Sequence, residues 1–292
     1  MKKLLFFGTP DIAVPALEQL ASLKEYEIVG VGVFPDKPVG RSQEMKACPV
    51  KVSAQSLGLP ITEIRNKTDL IQFVKRKNFN LAIVIAFGMI FPEEILRDKK
   101  FVNIHFSLLP LYRGASPVQS ALLNGDKISG ITFQIMAPKL DSGDILWQKS
   151  LPLGEKKTSE VFQFFARETA DRMTEFLANY FSSKLSPTPQ DENKTTFCTK
   201  FKKSDGEVFP NKDTAEEIYR KFRAFDIFPG IFVSTRKGNV KLTEVKLTPW
   251  DDGSFVLPCA QNTSLFIRKA QIPGKKEMLI AEILKGHSDL FS

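Results

Sequence analysis

Short apolar runs separated by segments of helical periodicity recur through the first half of the 292-residue sequence. The apolar runs predict strands over residues 3–7, 27–34, 81–87 and 101–106. Apolar residues at helical spacing predict helices over 12–23 and around 69–77. Strands that are apolar on both faces and alternate with helices are typical of a buried parallel sheet. We therefore predict an α/β fold with an open, doubly wound, Rossmann-like domain at the N-terminus.

The pattern changes after Gly130, where two further strands (131–136 and 145–153) precede a long amphipathic helix over about 159–181. The polar, proline-rich stretch from Ser186 to Asp191 is typical of a linker. A helix over 214–225 and short strands over 231–235, 240–247, 254–257 and 264–269 follow it. These strands predict a small OB-like β-barrel. The expected domains are a catalytic domain (1–186), a linker (187–205) and a C-terminal domain (206–292).

The net charge of the chain is +8 and its isoelectric point is near 9.2. This excess suits a polyanionic partner, but it also fits an ordinary basic soluble protein, so charge alone leaves both open. Three dispersed cysteines without CxxC spacing argue against a disulfide scaffold and against a structural metal site. No apolar run reaches membrane-spanning length, so we expect a cytoplasmic protein without membrane contact, and a monomer as the simplest state.

Two polar side chains interrupt the predicted strand over 101–106. Asn103 and His105 are two residues apart, so both point to one face of the strand, near its C-terminal end. Ligands of open α/β sheets bind at that edge. A loop with two carboxylates, Asp141 and Asp144, lies between the later strands. These residues are candidates for a reaction centre, although a histidine in a strand is often structural and an Asp-Ser-Gly-Asp stretch is often a turn.

Asn103, His105 and Asp141 suit acyl transfer from a nitrogen donor to an amine. Asn103 can donate a hydrogen bond to the oxyanion of a tetrahedral intermediate, and a protonated imidazole of His105 can donate a second. Asp141 nearby would favour the charged imidazole and could help to remove the proton of the attacking amine. The amine would attack directly, without a covalent intermediate on the protein.

Several short motifs occur along the chain in the order typical of one family. They are Gly8-Thr9-Pro10, Pro35-Asp36-Lys37-Pro38, Asn103-Ile104-His105 with Ser107-Leu108-Leu109-Pro110, Tyr112-Arg113-Gly114-Ala115-Ser116-Pro117, Leu140-Asp141-Ser142-Gly143-Asp144, Ser204-Asp205-Gly206, Phe228-Pro229-Gly230 and Gly274-Lys275-Lys276-Glu277-Met278. Over nearly its whole length the chain resembles the folate-dependent formyltransferase family. The resemblance implies 10-formyltetrahydrofolate as co-substrate and formyl donor. It also implies the α-amino group of initiator methionyl-tRNA as acceptor, for translation initiation.

The resemblance also implies binding residues. The family's folate-binding turn is matched by Ser107, Leu108, Leu109 and Pro110, and the walls of its pterin pocket by Phe87, Gly88, Met89, Ile90, Leu140 and Asp144. The residues expected to contact tRNA are Arg41 and Lys46, in a stretch matching the family's basic loop, and Lys275 and Lys276 in the second domain.

Three other functions are compatible with parts of this pattern. Sugar-nucleotide N-formyltransferases share the Asn–His–Asp set, and a formyltetrahydrofolate hydrolase could use it with water in place of the amine. A nucleic-acid-binding protein with a decayed catalytic domain is a third alternative, which the intact set argues against. The basic second domain favours a tRNA acceptor, because its cations suit a phosphate backbone.

Overall fold

The computed structural model describes residues 1–39, 43–97, 101–251, 254–287 and 290–291. The chain divides into two compact units with interleaved segments. The first unit comprises Met1–Pro117, Ile128–Pro152 and Phe162–Cys198, and the second comprises Val118–Lys127, Leu153–Val161 and Thr199–Ser292. Each unit has its own main sheet, with seven strands in the first and five in the second.

Eleven strands lie in the described residues up to Cys198: β1 Lys2–Gly8, β2 Tyr26–Val33, β3 Lys37–Val39, β4 Glu44–Lys46, β5 Ile61–Glu63, β6 Leu81–Ile85, β7 Phe101–His105, β8 Arg113–Gly114, β9 Ile128–Ile135, β10 Ile145–Pro152 and β11 Phe197–Cys198. The helices over the same stretch are α1 Val14–Ser22, α2 Pro49–Ser56, α3 Lys67–Arg76, α4 Glu93–Leu96, α5 Pro117–Asn124 and α6 Thr158–Phe181.

The sheet of the first unit has the strand order β10-β9-β7-β6-β1-β2-β5. The five neighbouring strands β5, β2, β1, β6 and β7 run parallel. This confirms the parallel sheet predicted from the apolar runs. The last two strands, β9 and β10, are antiparallel additions at one edge, so the sheet is mixed. In the pairing of β7 with β9, Asn103 lies opposite Gln134 and His105 lies opposite Thr132. This register brings polar side chains of two strands together near the C-terminal end of β7.

An aromatic cluster forms the core beneath that edge. The ring of Phe7 contacts those of Phe73, Phe87, Phe91 and Phe101, with centroids 5.2–6.3 Å apart. Burial of each such side chain contributes about 1.5–3 kcal/mol of transfer free energy. The cluster joins Phe7 near the end of β1 and Phe87 just beyond β6 with Phe101 at the start of β7, so the three strands are packed rigidly against one another.

The second unit contains strands β12 Ile231–Thr235, β13 Gly238–Lys246, β14 Phe255–Cys259, β15 Thr263–Gln271 and β16 Met278–Leu279, and helices α7 Ala215–Ala224 and α8 Ile280–Gly286. The strands form an antiparallel sheet of order β12-β13-β15-β14, with β16 paired to β15. Helix α7 begins at a capping box, in which Thr214 Oγ1 accepts from the Glu217 amide at 3.3 Å. Thr158 Oγ1 donates to the Ala224 carbonyl at 2.8 Å, which attaches an earlier chain segment to this unit.

The stretch predicted as the start of a linker packs with the first unit. Ile145 and Thr188 exchange two backbone hydrogen bonds of 2.8 and 2.9 Å, and β11 pairs with β8. The domain boundaries at 186/187 and 205/206 stay a prediction. None of the helices in the described residues combines the length and apolar composition of a membrane-spanning helix.

Candidate active site

Strand β7 carries Asn103 and His105 on one face, and both side chains meet the carboxylate of Asp141. Asn103 Nδ2 donates to Asp141 Oδ1 at 3.3 Å, and His105 Nδ1 lies 3.7 Å from Asp141 Oδ2. Asp141 reaches this position from the loop between β9 and β10, which we call the Asp141 loop (residues 139–144). The structure therefore brings the three predicted catalytic residues together within the first unit.

The carboxylate of Asp141 is fixed by donors on both oxygens. Besides Asn103, Oδ1 accepts from Gln134 Nε2 at 3.0 Å, and Oδ2 accepts from the Gly114 amide at 2.9 Å. Asp141 itself adopts a left-handed conformation with φ of 50°. Non-glycine residues rarely occupy this region, and such outliers persist only where the surroundings hold them in place. The donors around Asp141 supply that constraint.

The ring of His105 has its two nitrogens in different surroundings. Nε2 lies 2.9 Å from the backbone carbonyl of Tyr112, which can only accept, so Nε2 carries a hydrogen and donates it. Nδ1 faces Asp141 at 3.7 Å, a separation longer than a hydrogen bond. Nδ1 is therefore the ring nitrogen that is available for proton exchange beside the Asp141 carboxylate.

Two glutamines and an arginine surround the triad, and none of them was among the predicted site residues. Gln134 on β9 is 1% exposed, and Arg113 on β8 is 3% exposed. Gln190, from the stretch predicted as a linker, donates to the carbonyls of Asp141 and Gly143 at 2.8 and 2.7 Å. Of the three, Gln134 could have been found from the sequence. It lies inside the apolar run Ile-Thr-Phe-Gln-Ile-Met, and a buried amide needs hydrogen-bond partners.

The predicted folate-binding turn, Ser107–Pro110, follows β7. It is held by a hydrogen bond of its own Ser107 side chain and by side chains of β9 and β10. The buried Ser107 donates its hydroxyl to the Leu111 carbonyl at 2.6 Å. Thr132 Oγ1 donates to the Ser107 carbonyl at 2.6 Å and accepts from the Leu109 amide at 3.2 Å. Gln148 Nε2 donates to the Leu109 carbonyl at 2.9 Å. Four hydrogen bonds from within the protein therefore hold the turn.

The predicted pterin walls differ in what they expose. Ile90 is 79% exposed and Leu140 is 63% exposed, whereas Phe87 is buried in the aromatic cluster, where its ring stacks on Phe34 at 4.8 Å. Gly88 has a φ of 72° and turns the chain beyond Phe87, Met89 is half-buried, and Asp144 is half-buried in the Asp141 loop. Ile90 and Leu140 present apolar surface at this edge of the sheet. Phe87 lies in the core beneath the turn at Gly88.

The residues predicted to contact tRNA lie in both units. Lys46 ends the β3–β4 hairpin, and Lys275 and Lys276 lie in the turn between β15 and β16; all three are exposed. Arg41 lies outside the described residues. In the part of the chain that the structure describes, no group of three or more His, Cys, Asp or Glu side chains is placed to hold a metal ion.

Comparison with known proteins gives matches along nearly the whole chain. Residues 2–173 match the formyl transferase family, and residues 200–288 match the formyl transferase C-terminal domain. A methionyl-tRNA formyltransferase of Campylobacter jejuni (strain RM1221) is 36% identical over 295 residues, covering 95% of this chain and 94% of that protein.

Two solved structures share the fold. An N-formyltransferase from Helicobacter canadensis, in complex with folinic acid and dTDP-3-aminofucose, matches with a TM-score of 0.70 at 19% identity, covering 91% of this chain and 99% of that one. A methionyl-tRNA formyltransferase from Clostridium thermocellum matches with a TM-score of 0.61 at 20% identity, covering 85% and 94%. At these identities the likeness establishes the fold and leaves the acceptor open.

Proposed function

Because the chain belongs to the formyltransferase family, we propose that it transfers the formyl group of 10-formyltetrahydrofolate to the α-amino group of initiator methionyl-tRNA, for translation initiation. The acceptor rests on the 36% identity to a methionyl-tRNA formyltransferase, which extends over both units. The observation that carries the chemistry is the meeting of Asn103 and His105 at the carboxylate of Asp141.

Each member of the triad has a role that its contacts support. Asn103 uses one hydrogen of its amide on Asp141, so the other can be donated to the carbonyl oxygen that gains negative charge during attack. His105 presents Nδ1 towards Asp141, where it can donate a proton to the departing nitrogen or to the oxyanion. Asp141 orients both groups and is placed to accept a proton from the attacking amine. One removed oxyanion donor typically lowers the rate about 100- to 1,000-fold.

The residues at the sheet edge fit a flat, reduced pterin. Exposed Ile90 and Leu140 offer apolar surface, which planar ligands need on their faces. Met89, next to Ile90, and Met136, which precedes the Asp141 loop, pack against the same core cluster as Phe87. The two segments therefore share a base next to the triad. The binding roles of residues 87–90, 107–110, 140 and 144 are part of the proposal.

The second unit supplies the surface that we assign to tRNA. Exposed Lys275 and Lys276 in the β15–β16 turn suit contacts to phosphates, as do Lys46 and Arg41 in the first unit's sequence. The antiparallel order of β12 to β16, with register shifts between Leu242 and Val245, supports an OB-like barrel, because bulges bend strands as barrel closure requires. The monomeric state remains part of the same proposal.

A sugar-nucleotide acceptor is the second candidate. The Helicobacter canadensis enzyme, solved with dTDP-3-aminofucose, shares the fold at a TM-score of 0.70 over 91% of this chain, and this fold alone admits either acceptor. The sequence identity of 19% to that protein is lower than the 36% to the Campylobacter jejuni protein, which is why we place the tRNA acceptor first.

A competition assay with 10-formyltetrahydrofolate as the donor separates the candidates. Methionyl-tRNA charged on initiator tRNA, an amino-sugar nucleotide and water alone are offered together and separately, and formylated products are measured. We expect formyl transfer to methionyl-tRNA only. Formylation of the sugar, or release of formate without an acceptor, would refute the tRNA assignment while leaving the role of the triad intact.

A further inference from the structure

We propose that Gln190 is a positioning residue for formyl transfer, which holds the Asp141 loop in its reactive geometry together with Gln134 and Arg113. The inference rests on the proposed function, because it assumes that Asp141 takes part in the reaction. Gln190 reaches the loop from the stretch that leads towards the second unit, far along the chain from β7.

One orientation of the Gln190 side-chain amide suits the groups around it. Nε2 donates to the backbone carbonyls of Asp141 and Gly143 at 2.8 and 2.7 Å. Oε1 accepts from Arg113 Nε at 3.0 Å and Nη2 at 2.8 Å. Reversing the amide would set its oxygen against two carbonyls and its nitrogen against a cation, so the contacts determine the assignment.

Gln134 links this amide to the catalytic carboxylate. Its Oε1 accepts from Gln190 Nε2 at 3.3 Å, and its Nε2 donates to Asp141 Oδ1 at 3.0 Å. Backbone and side chain of Asp141 are therefore held by adjoining amides. A displacement of Gln190 would release the carbonyls directly and would also remove the partner that orients Gln134.

Arg113 anchors the network on its other side. The guanidinium is buried and makes a bidentate pair with Glu192, with N–O distances of 3.1 and 2.8 Å. The hydrogen bonds from Arg113 hold the pKa of the exposed Glu192 carboxyl below its usual value. The next residue, Gly114, donates its amide to Asp141 Oδ2. One short strand, β8, therefore supports both Gln190 and the carboxylate.

The loop needs such support because Asp141 occupies the left-handed region, with φ of 50°. Without Gln190, the carbonyls of Asp141 and Gly143 lose their amide donor, and the loop can relax towards a commoner backbone conformation. A displacement of a reacting group by about 1 Å can lower a rate about 100-fold. We therefore expect removal of Gln190 to lower the transfer rate about 10- to 100-fold, with a smaller effect on substrate binding.

The test is a double-mutant cycle on the full-length protein, measured as the single-turnover rate of formyl transfer from 10-formyltetrahydrofolate to methionyl-tRNA. Gln190→Ala and Gln190→Glu are made alone and in the background of Asp141→Asn. The glutamate variant keeps an acceptor for Arg113 and replaces only the donor, which makes it the test variant if the alanine variant fails to fold. Gln19→Ala is the matched control, because Gln19 makes a single long-range hydrogen bond, to Thr174 at 3.0 Å.

We expect each Gln190 variant to lower the rate at least about 10-fold alone, but less than about 2-fold once Asp141 is changed, because the effects of coupled residues are not additive. The KM for the folate should stay within about 2-fold. Equal losses in both backgrounds, or an unchanged rate, would overturn the positioning role. If Asp141→Asn itself left the rate unchanged, the proposed catalytic role of Asp141 would fail instead, which distinguishes the two ideas.

Discussion

The substitution Gly143→Ala should displace the Asp141 loop without removing any catalytic group. A Cβ at this position would lie 1.7 Å from the carbonyl oxygen of Ile135 and 2.8 Å from its carbon. Ordinary contacts of a Cβ begin at 3.4 Å, so loop and strand must separate by about 1.7 Å. Both obstructing atoms belong to the backbone, so no side-chain rotation relieves the overlap.

The expected loss follows from that displacement. A shift of about 1 Å at a reacting group can lower the rate about 100-fold, so we expect kcat to fall at least about 100-fold, or about 2.7 kcal/mol. The shift also disturbs the hydrogen bonds from Gln190 to the Gly143 carbonyl and from the Ile135 amide to the Asp144 carbonyl, at about 1 kcal/mol each. The free energy of unfolding should therefore fall by about 2 kcal/mol.

The assay combines the single-turnover rate of formyl transfer with thermal unfolding. Gly286→Ala is the matched control, because a Cβ there meets no heavy atom within 4 Å; its rate should stay within about 2-fold of wild type. A folded Gly143→Ala protein that transfers formyl at the wild-type rate would refute the argument that loop geometry limits the reaction.

Three further variants test separate parts of the structure. His105→Ala should lower kcat about 100- to 10,000-fold without weakening tRNA binding, and unaltered transfer would rule out the proton role of Nδ1. Lys51 donates to Asp36 and Glu63 at 2.7 Å each, so Lys51→Met should lower the free energy of unfolding by about 1.5–3 kcal/mol at neutral pH. These bonds raise the pKa of Lys51 above its ordinary value of 10.5, so its contribution is complete at neutral pH and is lost on the alkaline side only as the pH rises through the raised value; a difference that already declines at pH 8 contradicts this. Changing Lys275 and Lys276 together to Glu should weaken tRNA binding and reduce its salt dependence, with folate binding unchanged, and an unchanged salt slope would exclude phosphate contacts there.

The parts of the fold that could be predicted are those with strong periodicity. The strand predicted over 231–235 is observed as Ile231–Thr235, and the helix predicted over 159–181 is observed as Thr158–Phe181. The short β5 and helix α2 were not predicted, because three or eight residues carry too little periodicity to stand out. The antiparallel direction of β9 could not be predicted either, since direction depends on the path of the chain between strands.

The same limit applies to the candidate site. Alternation along one strand was enough to predict that Asn103 and His105 share a face, because that relation is local. The role of Gln190 depends on where an extended, proline-rich stretch comes to lie, and its composition favours a linker as much as a packed segment. Arg113 belonged to a quoted motif, but its buried pairing with Gln190 and Glu192 joins residues about eighty positions apart.

The interleaving of the two units constrains how this chain could exchange parts with a relative. Residues 118–127 and 153–161 belong with the residues after Thr199, and the backbone oxygen of Lys156 accepts from Arg223 Nε at 3.1 Å. A chimera joined once, between residues 198 and 199, would inherit those two inserts from one parent and their packing partners from the other. Functional shuffling of such enzymes should therefore succeed more often when all three segments are transplanted as a set.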